Sequence, residues 1–111
     1  MQNFAQFEEH VERTINVSGK PRPRAEAIAV FGLGLTGEAG EVADLLKKVI
    51  GHGHAVEHKK LIAELGDVLW YVAALANTFG LSLSEIADAN EAKLRARYPD
   101  GFSYEASRRR A

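Results

Sequence analysis

Two pairs of carboxylates, each with its members three residues apart, are the residues of this sequence best suited to chemistry. Glu38 and Glu41 form the first pair, and Glu64 and Asp67 form the second. On a helix this spacing places both side chains of a pair on one face, one turn apart. Both pairs lie within apolar helical patterns, where like charges repel one another and lose hydration. Such a cluster needs a counter-charge, and we expect a bound hard cation to supply it.

The helices that carry these pairs follow from the apolar periodicity. A helix from about residue 25 to residue 50 contains the first pair, and a helix from about residue 56 to residue 79 contains the second. The second helix has an apolar seam with alternating spacings of four and three residues, formed by Leu61, Leu65, Val68, Val72, Leu75 and Phe79. An amphipathic segment precedes them, and a helix capped at Ser82 and ending near Arg97 follows. No strand pattern occurs, so we predict an all-α protein with four main helices in a bundle-like arrangement.

Two features of these helices predict their surroundings. Gly32, Gly34, Gly37 and Gly40 interrupt the first acidic helix, although glycine inside a helix costs roughly 0.5–1 kcal/mol relative to alanine. They predict either close approach of another backbone or a break near Gly34. Trp70 lies opposite the apolar seam, so its ring needs a cover from the N-terminal helix or from another subunit.

Composition limits the remaining possibilities. The chain has 111 residues, of which 46% are hydrophobic, and a formal net charge of −1. These values fit one domain over residues 1–111 with its own core, and they give no net field to recruit nucleic acid or an anionic membrane. There are no cysteines, and we find no signal-like or membrane-spanning segment, so we expect a cytoplasmic protein. Residues 103–111 are expected to be a frayed tail.

An oxygen-only ligand set favours Mg²⁺, with Mn²⁺ as a possible substitute. A di-iron bundle would require histidine where Asp67 stands. A zinc site is an alternative, since His54 and His58 are one helical turn apart with His52 nearby, but no cysteine or carboxylate partner fixes its geometry. Asn90, Lys93 and Arg97 share one face of the last helix and offer an amide and two cations to phosphate oxygens.

Three blocks of this sequence carry a family resemblance. They are LTGEAGEV at residues 35–42, ELGDVLWY at residues 64–71 and NEAKLRARYPDGF at residues 90–102. Together they resemble the MazG-type all-α nucleoside triphosphate pyrophosphohydrolases over residues 33–102. The resemblance implies Mg²⁺-dependent hydrolysis between the α- and β-phosphates, giving a nucleoside monophosphate and pyrophosphate. It further implies a homodimer or homotetramer with the site near a subunit interface, and a role in removing unwanted nucleotides.

The resemblance also assigns the residues. The metal ligands would be Glu38, Glu41, Glu64 and Asp67, and the phosphate-binding residues would be Asn90, Lys93 and Arg97. Lys48, two turns after Glu41 on the same face, could join them. Glu38 and Glu41 are the candidates for holding the attacking water. Two alternatives stay open: an enzyme of the same fold resembling the dimeric dUTPases or phosphoribosyl-ATP pyrophosphatases, and a metal-free helical dimerisation module.

Overall fold

The computed structural model describes residues 1–109, and within them the only regular elements are helices. In chain order they are α1 (Phe4–Thr14), α2 (Arg24–Gly51), α3 (His58–Thr78), α4 (Leu83–Arg97) and α5 (Tyr104–Arg109). Over the described residues, extended pairing is limited to one isolated bridge between Val17 and Lys20 in the loop after α1. The predicted all-α class is confirmed. The oligomeric arrangement stays a prediction.

Helices α2 and α3 form the main packing unit, an antiparallel hairpin joined by residues 52–57. Helix α1 packs across α3, and α4 packs in turn on α1. The core lies where these helices meet, and its buried members are Val11, Ala27, Phe31, Ala73, Ala74 and Leu83. Because the buried residues of α3 are alanines, α1 and α2 can approach that helix closely.

Helix α1 supplies the cover that Trp70 was predicted to need. The indole Nε1 of Trp70 donates a hydrogen bond to Thr14 Oγ1 at 2.8 Å. The Trp70 ring also meets the Phe31 ring edge-on, with 5.8 Å between the ring centroids. Helix α1 begins with a reciprocal capping box between Asn3 and Gln6, which satisfies two backbone N–H groups at the helix end. This cap fixes the helix that lies over the indole.

The glycines of α2 do not break the helix, so the predicted break near Gly34 is wrong. Helix α2 is continuous from Arg24 to Gly51. The close approach occurs at Gly34, but the group that approaches is the ring of Tyr71 rather than a backbone. A side chain at Gly32, Gly37 or Gly40 would meet no described atom within 4 Å. Only one of the four glycines is therefore required by packing within this chain.

The turns around α4 follow the sequence pattern. Gly80 adopts φ of +68° after α3, a conformation that glycine tolerates without steric cost. Ser82 then caps α4 by accepting a hydrogen bond from the Glu85 backbone N–H at 3.1 Å. The neighbouring Leu83 N–H donates to the Glu8 carboxylate of α1 at 3.3 Å. The start of α4 is thus fixed to the N-terminal helix.

The C-terminal segment differs from the predicted frayed tail. Ser103 accepts a hydrogen bond from the Ala106 N–H at 3.1 Å through its hydroxyl, and Ala106 is buried. This cap and this apolar contact hold Tyr104–Arg109 in a short helix. Residues 110 and 111, also part of the predicted tail, lie outside the described residues.

Apolar side chains remain at the surface of the single chain. Ile50 is 87% exposed and Ile62 is 70% exposed, while Leu65 and Phe79 of the predicted seam are each 49% exposed. An open apolar groove of about 230 Å³ runs between α2, α3 and α4, lined by Leu35, Val72, Leu75, Ala76, Phe79, Leu81 and Ile86. Among the described residues, none of the helices has the length and apolarity to cross a membrane.

Candidate metal centre

Three of the four predicted metal ligands meet between α2 and α3. Glu38 of α2 and Glu64 and Asp67 of α3 each offer a carboxylate oxygen, and these oxygens lie within 4.8 Å of one another. The antiparallel hairpin causes this meeting, because one helical turn of each helix faces one turn of the other. We call these three residues the acid cluster. Glu38 and Glu64 are half-buried, whereas Asp67 is exposed.

The acid cluster is electrostatically unfavourable without a counter-ion. Partial desolvation raises the pKa of Glu38 above its ordinary value, and the negative charges of Asp67, Glu64 and Glu41 raise it further. No lysine or arginine forms an ion pair with these four carboxylates in the described part of the chain. A bound cation would relieve the repulsion among them.

The donor set fits a hard divalent cation. Carboxylate oxygens are the ligands that Mg²⁺ and Mn²⁺ prefer, and exposure at Asp67 leaves room for water or substrate oxygens to complete the shell. The acid cluster is the only group of three potential ligands close enough to hold an ion among residues 1–109. It contains no histidine, so the alternative zinc site finds no geometric support. Whether the four predicted carboxylates bind metal stays a prediction.

A cavity of about 220 Å³ adjoins the acid cluster on the side of the α2–α3 loop. Glu41, the fourth predicted ligand, and Glu64 of the acid cluster both line it. The other lining residues are Asp44, Leu45, Lys48, Val49, His54, Ala55, Glu57 and Lys60. The cavity thus continues from the carboxylates into a region that holds two lysines and a histidine.

Lys48 lies in this cavity, as a residue on the face of Glu41 should. Its Nζ pairs with Asp44 Oδ2 at 2.9 Å, and Lys47 Nζ pairs with Asp44 Oδ1 at 3.1 Å. The hydrogen bond from Lys48 has the largest effect on Asp44 and lowers its pKa, and the hydrogen bond from Lys47 lowers it further. In return, the Asp44 carboxylate raises the pKa of Lys48. Lys48 is therefore a firmly cationic group beside the carboxylates.

Sequence reasoning did not assign the other polar residues to this cavity, and it considered His54 only as a zinc ligand. Asp44 could have been found, since it precedes Lys47 and Lys48 by three and four residues on α2, the spacing of helical ion pairs. Lys60 lies one turn before Glu64 and was recognisable in the same way. His54 and Glu57 come from the loop and the start of α3, where helical spacing gives no information. Their position depends on how the loop closes the hairpin.

The predicted phosphate-binding residues of α4 do not reach this cavity within one chain. Asn90 lines a separate surface cavity beside Tyr98 and Phe102. Arg97 lines another, together with Ala106 and Arg109. Lys93 is exposed on the same helix. The cavity beside the acid cluster takes all its lining residues from α2, α3 and the loop between them. Roles for Asn90, Lys93 and Arg97 therefore stay predictions.

Comparison with known proteins assigns the family. The model of the MazG nucleotide pyrophosphohydrolase domain matches residues 29–102, a region that contains all eight predicted site residues. The chain belongs to this family, as the resemblance indicated. It is similar to the Gene 37 protein of Mycobacterium phage L5, with 41% identity over 80 residues, which are 68% of this chain and 70% of the phage protein.

A second relative is the Uncharacterized protein YvdC of Bacillus subtilis (strain 168). It is 34% identical over 70 residues, which are 55% of this chain and 66% of that protein. No solved structure matches the chain significantly. Neither relative's name states an activity, so the function of this chain must be argued from its family and its site.

Proposed function

We propose that this protein hydrolyses nucleoside triphosphates, normal or modified, to a nucleoside monophosphate and pyrophosphate in a Mg²⁺-dependent reaction. The observation that carries the proposal is the acid cluster: three carboxylates within 4.8 Å of one another in a member of the MazG nucleotide pyrophosphohydrolase family. Within residues 1–109, none of the three carboxylates forms an ion pair with a lysine or an arginine. A cation that also binds phosphate oxygens would do so and would bring the substrate to the site.

Glu38, Glu41, Glu64 and Asp67 would hold the cation, which when bound supplies charge stabilisation for phosphoryl transfer. Glu38 and Glu41 are the candidates for orienting the attacking water. Lys48, which lines the adjoining cavity, would contact a phosphate of the leaving group.

The α4 residues enter the proposal through a second subunit. Asn90, Lys93 and Arg97 do not line the acidic cavity of their own chain, and an apolar groove between α2, α3 and α4 is open. A homodimer or homotetramer that covers this groove could bring α4 of one subunit to the acid cluster of another. Arg97 would then contact the substrate, because a guanidinium can form two parallel hydrogen bonds with a phosphate group.

A panel of normal and modified nucleoside triphosphates, incubated with the protein and Mg²⁺, tests the activity. We expect chromatography to show monophosphate and pyrophosphate as the first products, and Glu64→Gln to abolish their formation. Glu12→Gln, which removes an exposed carboxylate of α1, is the matched control and should keep activity. Orthophosphate as the primary product, or full activity in Glu64→Gln, would contradict the proposal. The panel also distinguishes a dUTPase-like preference for one substrate from a broad substrate range. A broad substrate range would fit a role in removing unwanted nucleotides.

The competing hypothesis is a metal-free helical dimerisation module. In such a module the carboxylates would pair with basic residues, and losing one partner of a buried ion pair typically costs about 3–5 kcal/mol. The metal site predicts instead that Glu64→Gln, in chelator, is at least as stable as the wild type. Thermal melts with chelator and with Mg²⁺ distinguish the two hypotheses, since Mg²⁺ should raise the melting temperature of the wild type and raise that of Glu64→Gln much less.

A further inference from the structure

One aromatic side chain fits into a gap in α2 directly beside the acid cluster. The ring of Tyr71 occupies the space that a side chain at position 34 would need. A Cβ built on Gly34 would lie 2.5 Å from Cζ and 2.6 Å from Cδ1 of Tyr71, and closer still to Cε1. Real Cβ atoms essentially never come within 3.0 Å of such atoms. Alanine at position 34 therefore requires α3 or the ring to move.

The position of this contact connects it to the acid cluster. Gly34 precedes Glu38 by four residues on α2, and Tyr71 follows Asp67 by four residues on α3. On a helix, residues four apart lie one above the other on the same face. The Gly34–Tyr71 contact therefore lies one helical turn along the antiparallel hairpin from the level at which Glu38 faces Asp67. The distance between α2 and α3 at one of these levels constrains their distance at the other, because a helix is stiff over one turn.

We propose that Tyr71 is a positioning residue, whose ring, seated against Gly34, sets the separation of α2 and α3 and thereby the separation of the carboxylates that would bind a divalent cation. This inference rests on the proposed metal site. The Tyr71 ring also contacts the Trp70 ring, which meets it nearly perpendicularly with 5.0 Å between the centroids. Trp70 is in turn hydrogen-bonded to Thr14. The Tyr71 ring is thus supported through α1.

The comparison of glycines within α2 supports a local role. Gly32 lies one turn from Thr36, and a Cβ added to Gly32 would have no described atom within 4 Å. Its replacement by alanine should favour the helix and leave the separation of α2 and α3 unchanged. Gly34→Ala adds the same methyl group to the same helix two residues later, where the ring stands. The two variants are therefore a matched pair that differ in the contact with Tyr71.

The experiment is a calorimetric titration of the chelator-treated protein with Mn²⁺, with circular dichroism to verify folding. We expect Gly34→Ala to weaken Mn²⁺ binding by roughly 10- to 100-fold, the range found when groups that orient metal ligands are changed. Gly32→Ala should bind within about twofold of the wild type. The double variant Gly34→Ala/Tyr71→Leu, which makes room for the added methyl group, should regain most of the affinity lost.

A second pair of variants decides the matter if Gly34→Ala does not fold. Tyr71→Phe keeps the ring and should bind Mn²⁺ like the wild type, whereas Tyr71→Ala removes the ring and should bind at least roughly tenfold more weakly. Wild-type affinity in folded Gly34→Ala, or equal affinities in Tyr71→Phe and Tyr71→Ala, would overturn the positioning role alone. Absence of Mn²⁺ binding by the wild type would overturn the proposed metal site and the positioning role with it.

Discussion

At the scale of single residues, the raised pKa of Glu38 links the candidate site to stability. Partial desolvation and the charges of Asp67, Glu64 and Glu41 all disfavour its ionised form. The folded protein therefore binds this proton more tightly than the unfolded chain does. Functional sites commonly hold like charges together at the expense of stability. In the metal-free protein, Glu38 should contribute such a destabilising effect at neutral pH.

The sign of the pH dependence follows from that difference in proton affinity. Because the folded state holds more protons, the free energy of unfolding falls as pH rises from the ordinary glutamate value of 4.5 through the raised value of the folded protein. Glu38→Gln removes this titration. We expect the melting temperature of the chelated wild type, relative to that of Glu38→Gln, to decrease as pH increases across this window.

Thermal melts in chelator at several pH values measure this relative melting temperature. Glu12→Gln serves as the control, because it removes an exposed carboxylate of α1 that is not part of the acid cluster. A constant difference between the wild type and Glu38→Gln across the window would show that the neighbouring carboxylates do not act on Glu38. Excess Mg²⁺ should reverse the order of the two proteins, since bound cation stabilises the folded wild type more.

At the scale of helices, the hydrogen bond between Trp70 and Thr14 joins α3 to α1. Thr14→Val keeps the shape of the side chain and removes the acceptor, which leaves the indole N–H without its partner. We expect a loss of about 0.5–1.5 kcal/mol in the free energy of unfolding, measured by urea denaturation. Thr36→Val in α2 is the control, because within residues 1–109 the Thr36 hydroxyl hydrogen-bonds only the Gly32 carbonyl of its own helix. Equal effects of the two substitutions would mean that the bond to Trp70 contributes nothing.

The helices themselves were largely predictable from the sequence. Their apolar periodicity, the Ser82 cap and Gly80 gave boundaries within about two residues of those observed. The convergence of Glu38 with Glu64 and Asp67 followed from the same spacing, once two such helices were placed side by side. These features are local or nearly so, and local features are encoded in short stretches of sequence.

The features that were missed depend on tertiary contacts. The spacing of the glycines along α2 does not show which of them contacts another side chain, because that depends on where the Tyr71 ring meets α2. The short helix α5 forms through the burial of Ala106 and the Ser103 cap, neither of which has a periodic signature over six residues. The location of α4 relative to the acid cluster depends on the direction of the preceding loop, and helical periodicity carries no information about that direction.

At the scale of the whole molecule, the apolar groove between α2, α3 and α4 predicts self-association. Leu81 lies in this groove and is 47% exposed. We expect the wild type to be a homo-oligomer by light scattering at micromolar concentration. Leu81→Glu places a charge in the groove and should shift the protein towards monomer, because burying an unpaired charge is costly.

Val17→Glu is the matched control for this substitution. Val17 is 50% exposed and also lies in a loop, but outside the groove, so its replacement should leave the oligomer intact. A monomeric wild type would contradict the predicted assembly. An oligomer that tolerates Leu81→Glu would place the subunit contact on another surface of the molecule.

The α2–α3 hairpin also has a consequence for how the chain folds. Its two helices are joined by only six residues, 52–57, so bringing them together costs little loop-closure entropy. We expect this hairpin to form before α1 and α4 dock, and the acid cluster to be assembled already in the folding transition state.

Repulsion among the carboxylates of the acid cluster would then slow folding in chelator, and Glu64→Gln should fold faster than the wild type in stopped-flow measurements. Thr14→Val, whose bond forms when α1 docks, should chiefly accelerate unfolding. The carboxylates that would bind the cation would therefore also limit the folding rate of the metal-free protein.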